Sequence, residues 1–212
     1  MQDDLAPRGR APVRSNLERT QATQAALLAA ARALFVRKGY ADTGTPEIVA
    51  AAQVTRGALY HHFADKAGLF LAVAQQAADE VAAEIDRGSA RAATPLQALI
   101  DGAEAYFAAM ARGGRARLLL LDAPAVLPAG QLLALSERAG ARALQAGLQA
   151  AWAAGPGGAL PAAELAALAA LLSAAFDRAA LAIARGEPAA PYRQAMRRLL
   201  ARLVGAEPTA TG

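Results

Sequence analysis

The first periodic stripe of apolar positions is Leu27, Ala31, Leu34 and Phe35. Its three- and four-residue spacing predicts a helix from about Thr20 to Arg37-Lys38-Gly39. Cations in the last turn and a glycine just past it suit that end. Two short helices follow, from about Thr45 to Ala52 and from about Thr55 to His62. Pro46 suits the first helical position if Thr45 caps the first of them. Asp65 is placed to cap a long helix that reaches Arg87-Gly88. Thr94-Pro95 opens a helix that ends near Gly113-Gly114, and Arg115 to Asp122 is expected to be helical until Pro124. Pro128 opens the next helix, to about Ala154, before a Gly155-Pro156-Gly157-Gly158 loop. Pro161 opens a long apolar helix to Arg185-Gly186, and Pro188 or Pro191 opens a last one ending near Val204-Gly205. The pattern thus predicts an all-α protein of about nine helices, with no repeat of 20–50 residues.

Composition agrees. Of 212 residues 63 are alanine, and only 12 are valine or isoleucine, which excludes a β-sandwich or barrel. The organisation expected is a flexible basic arm over 1–18 (Arg8, Arg10 and Arg14 among Pro7, Gly9 and Pro12), a helix-turn-helix unit over 19–65, a connecting helix over 66–88, a helical C-terminal domain over 89–205 and a loose tail over 206–212.

The net charge of +4, carried by 20 arginines and two lysines, permits a nucleic-acid partner without requiring one. Residues 1–70 carry net +3, residues 71–150 net −1 and residues 151–212 net +2. Without cysteine there is no disulfide, thiolate metal site or thiol nucleophile. Met1-Gln-Asp-Asp is acidic and lacks an apolar stretch, so no secretory signal is expected. The longest uncharged stretch, between Arg142 and Glu164, is interrupted by Gln145, Gln149, the glycine-rich loop and Pro161, so no membrane span or membrane partner is expected. A cytoplasmic protein follows from these readings.

The informative stretch runs from Ile48 to Phe70. Ile48, Ala52, Val54, Leu59 and Phe63 can pack inward, which leaves Thr55, Arg56, Gly57, Ala58, Tyr60 and His61 outward on the second short helix. Two helices joined by a tight turn form a helix-turn-helix, whose second helix can lie in a DNA major groove. Gly57 and Ala58 are small enough for close approach, and Arg56 can donate two hydrogen bonds to a guanine edge. Tyr60, His61, Thr45 and Lys66 can reach phosphates, and the helix that starts at Asp65-Lys66 aims its positive end outward. His61 and His62 do not make a metal pair, because adjacent helical residues point ~100° apart. No nucleophile–base pair, paired carboxylates, phosphate-binding loop or metal set is present, so no enzyme, cofactor or metal is expected.

The stretch from Thr20 to Leu69 resembles the DNA-binding domain of the TetR family of transcriptional regulators. The matching features are Ala33-Leu-Phe-Val-Arg-Lys-Gly-Tyr40, Thr43, Ile48, Val54-Thr-Arg-Gly-Ala-Leu-Tyr-His-His-Phe63 and Asp65-Lys66-Ala-Gly-Leu69. The resemblance implies that Thr55, Arg56, Gly57, Ala58, Tyr60 and His61 form the recognition helix and that Arg56 reads bases. It further implies that Thr45 and Pro46 contact DNA from the preceding helix, and that Lys66 contacts a phosphate. Two positions depart from the pattern: Gln53 stands where the turn usually has glycine, which predicts a strained or reshaped turn, and Gly44 stands where Ser or Thr is usual.

The resemblance also implies that the C-terminal region binds a small-molecule effector and forms a homodimer. Candidate ligand-binding residues are Tyr106, Phe107, Met110, Leu120, Asp122, Trp152 and Phe176, which suggest an apolar ligand. Asp122 is expected either to anchor a ligand or to pair with Arg115 or Arg117. The helix from Pro161 is apolar on nearly every side and is expected to be buried on nearly every side. By analogy it pairs with the last helix and their copies through Leu165, Leu168, Leu172, Met196, Leu199 and Leu203. The function expected is a homodimeric repressor released from a near-palindromic double-stranded DNA operator by its effector. The alternative is a small-molecule-binding or scaffold dimer of the same fold without specific operator binding.

Overall fold

The computed structural model describes residues 16–155 and 160–205. Residues 1–15 of the expected basic arm, most of the glycine-rich loop and the 206–212 tail lie outside the described residues. Those described form nine helical segments and no strand. They are α1 (Asn16–Lys38), α2 (Thr45–Ala51), α3 (Arg56–His62), α4 (Lys66–Ser89), α5 (Pro95–Met110), α6 (115–126), α7 (129–153), α8 (Ala162–Ala184) and α9 (Ala189–Leu203). The first helix starts at Asn16 rather than near Thr20, so it takes in residues expected to belong to the arm.

Side-chain caps fix three of the starts. Thr55 Oγ1 accepts the Ala58 N–H at 3.1 Å, Asp65 Oδ1 accepts the Gly68 N–H at 2.7 Å, and Thr94 Oγ1 accepts the Gln97 N–H at 3.1 Å. α2 differs from expectation. Its N-cap is Gly44, with no side-chain cap, and Thr45 already lies inside the helix. Pro46 therefore falls in the first turn, where its missing N–H has no partner to lose.

Helix α6 also differs, since Pro124 does not stop it. A π turn at Leu118–Asp122 precedes the proline, and helical geometry continues through Ala123–Val126. The wider turn eases the clash between the proline ring and the preceding carbonyls. α7 bends at Gly140, whose φ of 149° is open to glycine, and a Cβ there would lie 2.8 Å from Ile85 Cδ1.

The short helices α2 and α3 lean on α1 and on the start of α4. Leu27, Ala31, Phe35, Ile48, Leu59, Leu69 and Phe70 are fully buried between them. Phe35 and Phe70 meet edge to face at 5.3 Å, and Tyr40 meets Phe70 at 5.2 Å. α4 then runs out of this unit and packs along α5, burying Val73, Ala77, Val81 and Ile85 on the way. The remaining helices complete the C-terminal bundle around Phe107, Leu118 and Leu148.

Helix α8 is less enclosed than its apolar sequence predicts. Leu165, Ala169, Leu172 and Phe176 face the interior, whereas Leu171 is 71% exposed within the chain. It is long and apolar enough to cross a membrane, but Asp177 and Arg178 break its apolar run before its last turns, and one face packs into the bundle through Leu165, Leu172 and Phe176.

Candidate nucleic-acid interface and helical cavity

The turn between α2 and α3 closes a left-handed C-terminal cap. The Gln53 N–H donates to the Ala50 carbonyl at 3.2 Å and the Val54 N–H to the Val49 carbonyl at 3.1 Å. Gln53 takes a φ of 54°, a conformation that favours glycine. The turn is thus strained, as its sequence predicts, and its hydrogen bonds are intact.

That turn sets α3 with Leu59 inward and Arg56, Gly57, Tyr60 and His61 exposed, while Ala58 is half-buried. The Arg56 guanidinium lies 5.5 Å from the centre of the Tyr60 ring. Side-chain hydrogen bonds, first with Thr45 and then with Arg56, hold the Tyr60 phenol below its ordinary pKa. Thr45, Arg56 and Tyr60 are thereby brought into one polar group spanning α2 and α3, with Pro46 exposed beside it. Thr55 belongs to the same edge, with its hydroxyl accepting the cap bond. The nearest atom to a Cβ added at Gly57 would be Thr55 Oγ1 at 3.9 Å, so nothing inside the chain demands glycine there.

Lys66 is placed differently from the expected phosphate contact. Its ammonium turns inward and donates to the Tyr40 and Thr43 carbonyls, each at 2.9 Å, 4.0 Å from the centre of the Tyr40 ring. Buried Thr43 donates in turn to the Gly39 carbonyl at 2.7 Å. Lys66 and Thr43 therefore tie down the loop that presents α2. His61 and His62 stack ring edge to face at 5.4 Å, and the described residues hold no metal-binding cluster.

The C-terminal bundle encloses a cavity of about 350 Å³ lined from α4, α5, α6, α7 and α8. Of the predicted ligand-binding residues, Tyr106, Met110, Leu120 and Phe176 line it. Phe107 is buried behind this wall with its ring 5.3 Å from that of Phe176. Trp152 packs elsewhere on the core. Asp122 does not reach the cavity. It pairs with Arg117 at 3.6 Å, and burial above all pushes its carboxyl up, with Arg117 and the Tyr40 backbone opposing.

Sequence reasoning missed the polar part of this wall: Asp86, Ser89, Ser136, Ser173 and Asp177. The Tyr106 hydroxyl donates to Asp177 Oδ1 at 2.6 Å. Burial raises both groups, the phenol well above its ordinary value. The available signal was Asp177 itself, the first charge after the twelve uncharged residues 165–176.

The cavity and the helix-turn-helix share α4. Ile85 lines the cavity, while Glu80, more than one turn earlier, accepts both Arg32 nitrogens of α1 at 2.5 and 2.8 Å. Arg115, at the start of α6, donates to Glu80 at 2.9 Å, to Glu84 at 2.8 Å and to the Ala109 carbonyl at 2.9 Å. These bonds, Arg32 first, hold the Glu80 carboxyl below its ordinary pKa.

The residues expected between two copies divide by face. Leu165, Leu172 and Met196 point into the chain's own core, which corrects their reading as open dimer contacts. Leu199 is 42% exposed, and Leu168 and Leu203 are half-buried. The sequence stripe picked out the inward side of α8, and Leu171 on the other side went unnoticed.

Comparison with known proteins agrees with this architecture. The family model for bacterial regulatory proteins, tetR family, matches residues 27–73, and that for the tetracyclin repressor-like C-terminal domain matches residues 96–206. The chain is 35% identical over 95 residues to the A-factor receptor protein of Streptomyces griseus, covering 45% of this chain and 32% of that one. It is 44% identical over 57 residues to the transcriptional regulator AcrR of Shigella flexneri, covering 27% and 26%. These matches thus span about a third or less of each curated relative. A crystal structure of a TetR-family transcriptional regulator from Pectobacterium atrosepticum is 30% identical and aligns over 90% of this chain and 95% of that one, with a TM-score of 0.63. A regulator structure from Shewanella sp. PV-4, 20% identical, shares the fold with a TM-score of 0.69 over 85% of this chain and 97% of that one. With its C-terminal family match covering more than half of its length and its helix-turn-helix matched separately, the chain belongs to the tetR family of bacterial regulatory proteins.

Proposed function

We propose that the protein is a cytoplasmic, homodimeric transcriptional repressor that leaves its operator when a small ligand fills the C-terminal cavity. The observation that carries this reading is the open face of α2 and α3, where Thr45, Arg56 and Tyr60 form one polar group beside Gly57. Glycine in a helix destabilises it by about 0.5–1 kcal/mol relative to alanine, and no internal contact requires it at Gly57. A close approach from outside, such as a DNA backbone or base edge, supplies the reason.

Two such faces in a dimer would enter successive major grooves roughly 34–36 Å apart. Arg56 reads base edges, and Thr45, Tyr60 and His61 hold phosphates. Lys66 serves the interface by holding the Tyr40–Thr43 loop. The exposed Leu171 and Leu199, with half-buried Leu168 and Leu203, offer an apolar surface for the second copy. Because α4 bears both Ile85 at the cavity and Glu80 bonded to α1, a ligand that shifts α4 also shifts the DNA-binding unit. Coupling of ~1–3 kcal/mol would weaken DNA binding 5–150-fold.

The test is selection of binding sites from random duplex DNA by the purified protein at two salt concentrations. One recovered inverted repeat, bound by a dimer and weakened steeply by salt, is the expected result. Weak binding without a motif would overturn the operator reading and leave a ligand-binding or scaffold dimer.

A further inference from the structure

Half-buried carboxylates in this protein normally face a cation. Glu47 meets Lys38, Glu80 meets Arg32 and Arg115, Glu84 meets Arg115, Glu104 meets Arg193, Asp122 meets Arg117 and Glu137 meets Arg142. Among the described residues two half-buried acids do not. Asp101 takes the Gln97 amide at 2.7 Å near solvent. Asp177 lines the cavity, and its one hydrogen bond comes from the Tyr106 hydroxyl.

The rest of the wall sharpens the contrast. Among the described residues it contains a second acid, exposed Asp86, together with Ser89, Ser136 and Ser173, and no arginine, lysine or histidine. Tyr106 and Phe176 stand edge to face at 5.5 Å on the same wall as Asp177. An anionic ligand would meet two carboxylates and no positive group. A neutral apolar ligand would exclude water from Asp177 and give nothing back. A cation supplies the missing partner, and aromatic rings beside it add attraction for an ammonium group.

We propose that the cavity takes a lipophilic cation, an amine or quaternary ammonium on an apolar body, with its charge beside Asp177 and its body against the Leu99, Met110 and Leu120 side of the wall. This rests on the reading of the cavity as a ligand site, and it adds the ligand's charge. Asp177 is the specificity-determining residue, and Tyr106 positions it by holding one carboxylate oxygen.

The experiment is calorimetric titration of the full-length protein with three probes that share a phenylalkyl body: phenylbutyl-trimethylammonium, phenylhexanol and phenylhexanoate. The expected order is the ammonium at least tenfold tighter than the alcohol, with the carboxylate weakest. Asp177→Asn keeps the shape and can still accept the Tyr106 hydroxyl, so it should fold. It should remove the preference for the ammonium while leaving the alcohol's affinity within about twofold. Asp86→Asn, at the exposed rim, should change the ammonium's affinity by less than threefold. Tightest binding by the carboxylate or alcohol, or an unchanged ammonium preference in Asp177→Asn, would overturn the charge assignment while leaving a ligand site. Binding of none of the three would overturn the cavity as a ligand site altogether. Tight ammonium binding that fails to release operator DNA would support the charge assignment and sink only the effector role.

Discussion

In the N-terminal region the rings of Phe35, Tyr40 and Phe70 meet one another inside, and Arg56, Tyr60 and His61 stand outside. In the C-terminal region Tyr106 and Phe176 surround a void, Asp177 is turned into it, and leucine and alanine of α8 stand outside. The first arrangement is densely packed within and polar on the face where the proposed DNA contact lies. The second encloses a mainly apolar cavity with one half-buried acid in its wall and leaves leucines of α8 and α9 exposed, which suits a ligand within and a second protein chain without. The same helix, α4, takes part in both, so the two regions differ in chemistry while sharing a backbone element.

Identical substitutions on the two sides give the largest separation. Phe70→Ala removes a fully buried ring from close packing and should destabilise the fold by about 3–5 kcal/mol. Phe176→Ala removes a ring that already borders empty space and has fewer neighbours to lose, so its effect should be smaller. Urea denaturation of both variants checks this, and equal losses would mean that the cavity wall is as tightly packed as the N-terminal core.

Arg56→Ala tests the outward chemistry alone. The side chain is exposed and lies over Tyr60 without bonding the core, so stability should hold to within about 0.5 kcal/mol. Specific DNA binding should weaken by about 1–3 kcal/mol at one base position, while non-specific binding changes little. Competition binding with single-base operator variants is the measurement. A loss spread evenly over all sequences would make Arg56 a phosphate contact.

The carboxylates of the two regions should respond to pH with opposite sign. Glu80 is held below its ordinary value of 4.5, mainly by Arg32. Its stabilising contribution is therefore complete above that value and is lost as the pH falls through its lower native pKa. Asp177 is raised above its ordinary 3.8 by burial, so its protonated form favours the fold. That contribution is present at low pH and disappears as the pH rises through the raised native pKa. Denaturation midpoints from acid to neutral pH should show Glu80→Gln losing most at neutral pH. Asp177→Asn should gain on the wild type over the same range.

What could be read from the chain follows the same division. The outward side chains of α3 were legible because a tight turn and a short helix dictate which side chains point away from Leu59. Lys66 escaped because a long flexible side chain chooses its partner in three dimensions, and two loop carbonyls with a tyrosine ring outcompeted solvent. In the C-terminal region the helices were legible from proline and glycine punctuation. Their facing was not, since an alanine-rich helix such as α8 has little hydrophobic asymmetry to orient it. Pro124 misled because a π turn can absorb a proline that would otherwise end a helix. The cavity itself depends on the bend at Gly140 and on five helices meeting, which no local pattern encodes.

The smallest effect separates backbone strain from contact chemistry at the turn that joins α2 to α3. Gln53 holds a left-handed conformation that costs a non-glycine residue roughly 1 kcal/mol or a little more. Glycine adopts it freely but also gains freedom in the unfolded chain, so Gln53→Gly should stabilise by only about 0.5 kcal/mol. The cap bonds from the Gln53 and Val54 N–H groups already fix the backbone, so α3 should not move. Operator affinity should then stay within about twofold, measured beside the thermal midpoint. A clear fall in affinity with rising stability would mean that the exposed Gln53 side chain itself touches DNA, which would extend the interface from α3 back into the turn.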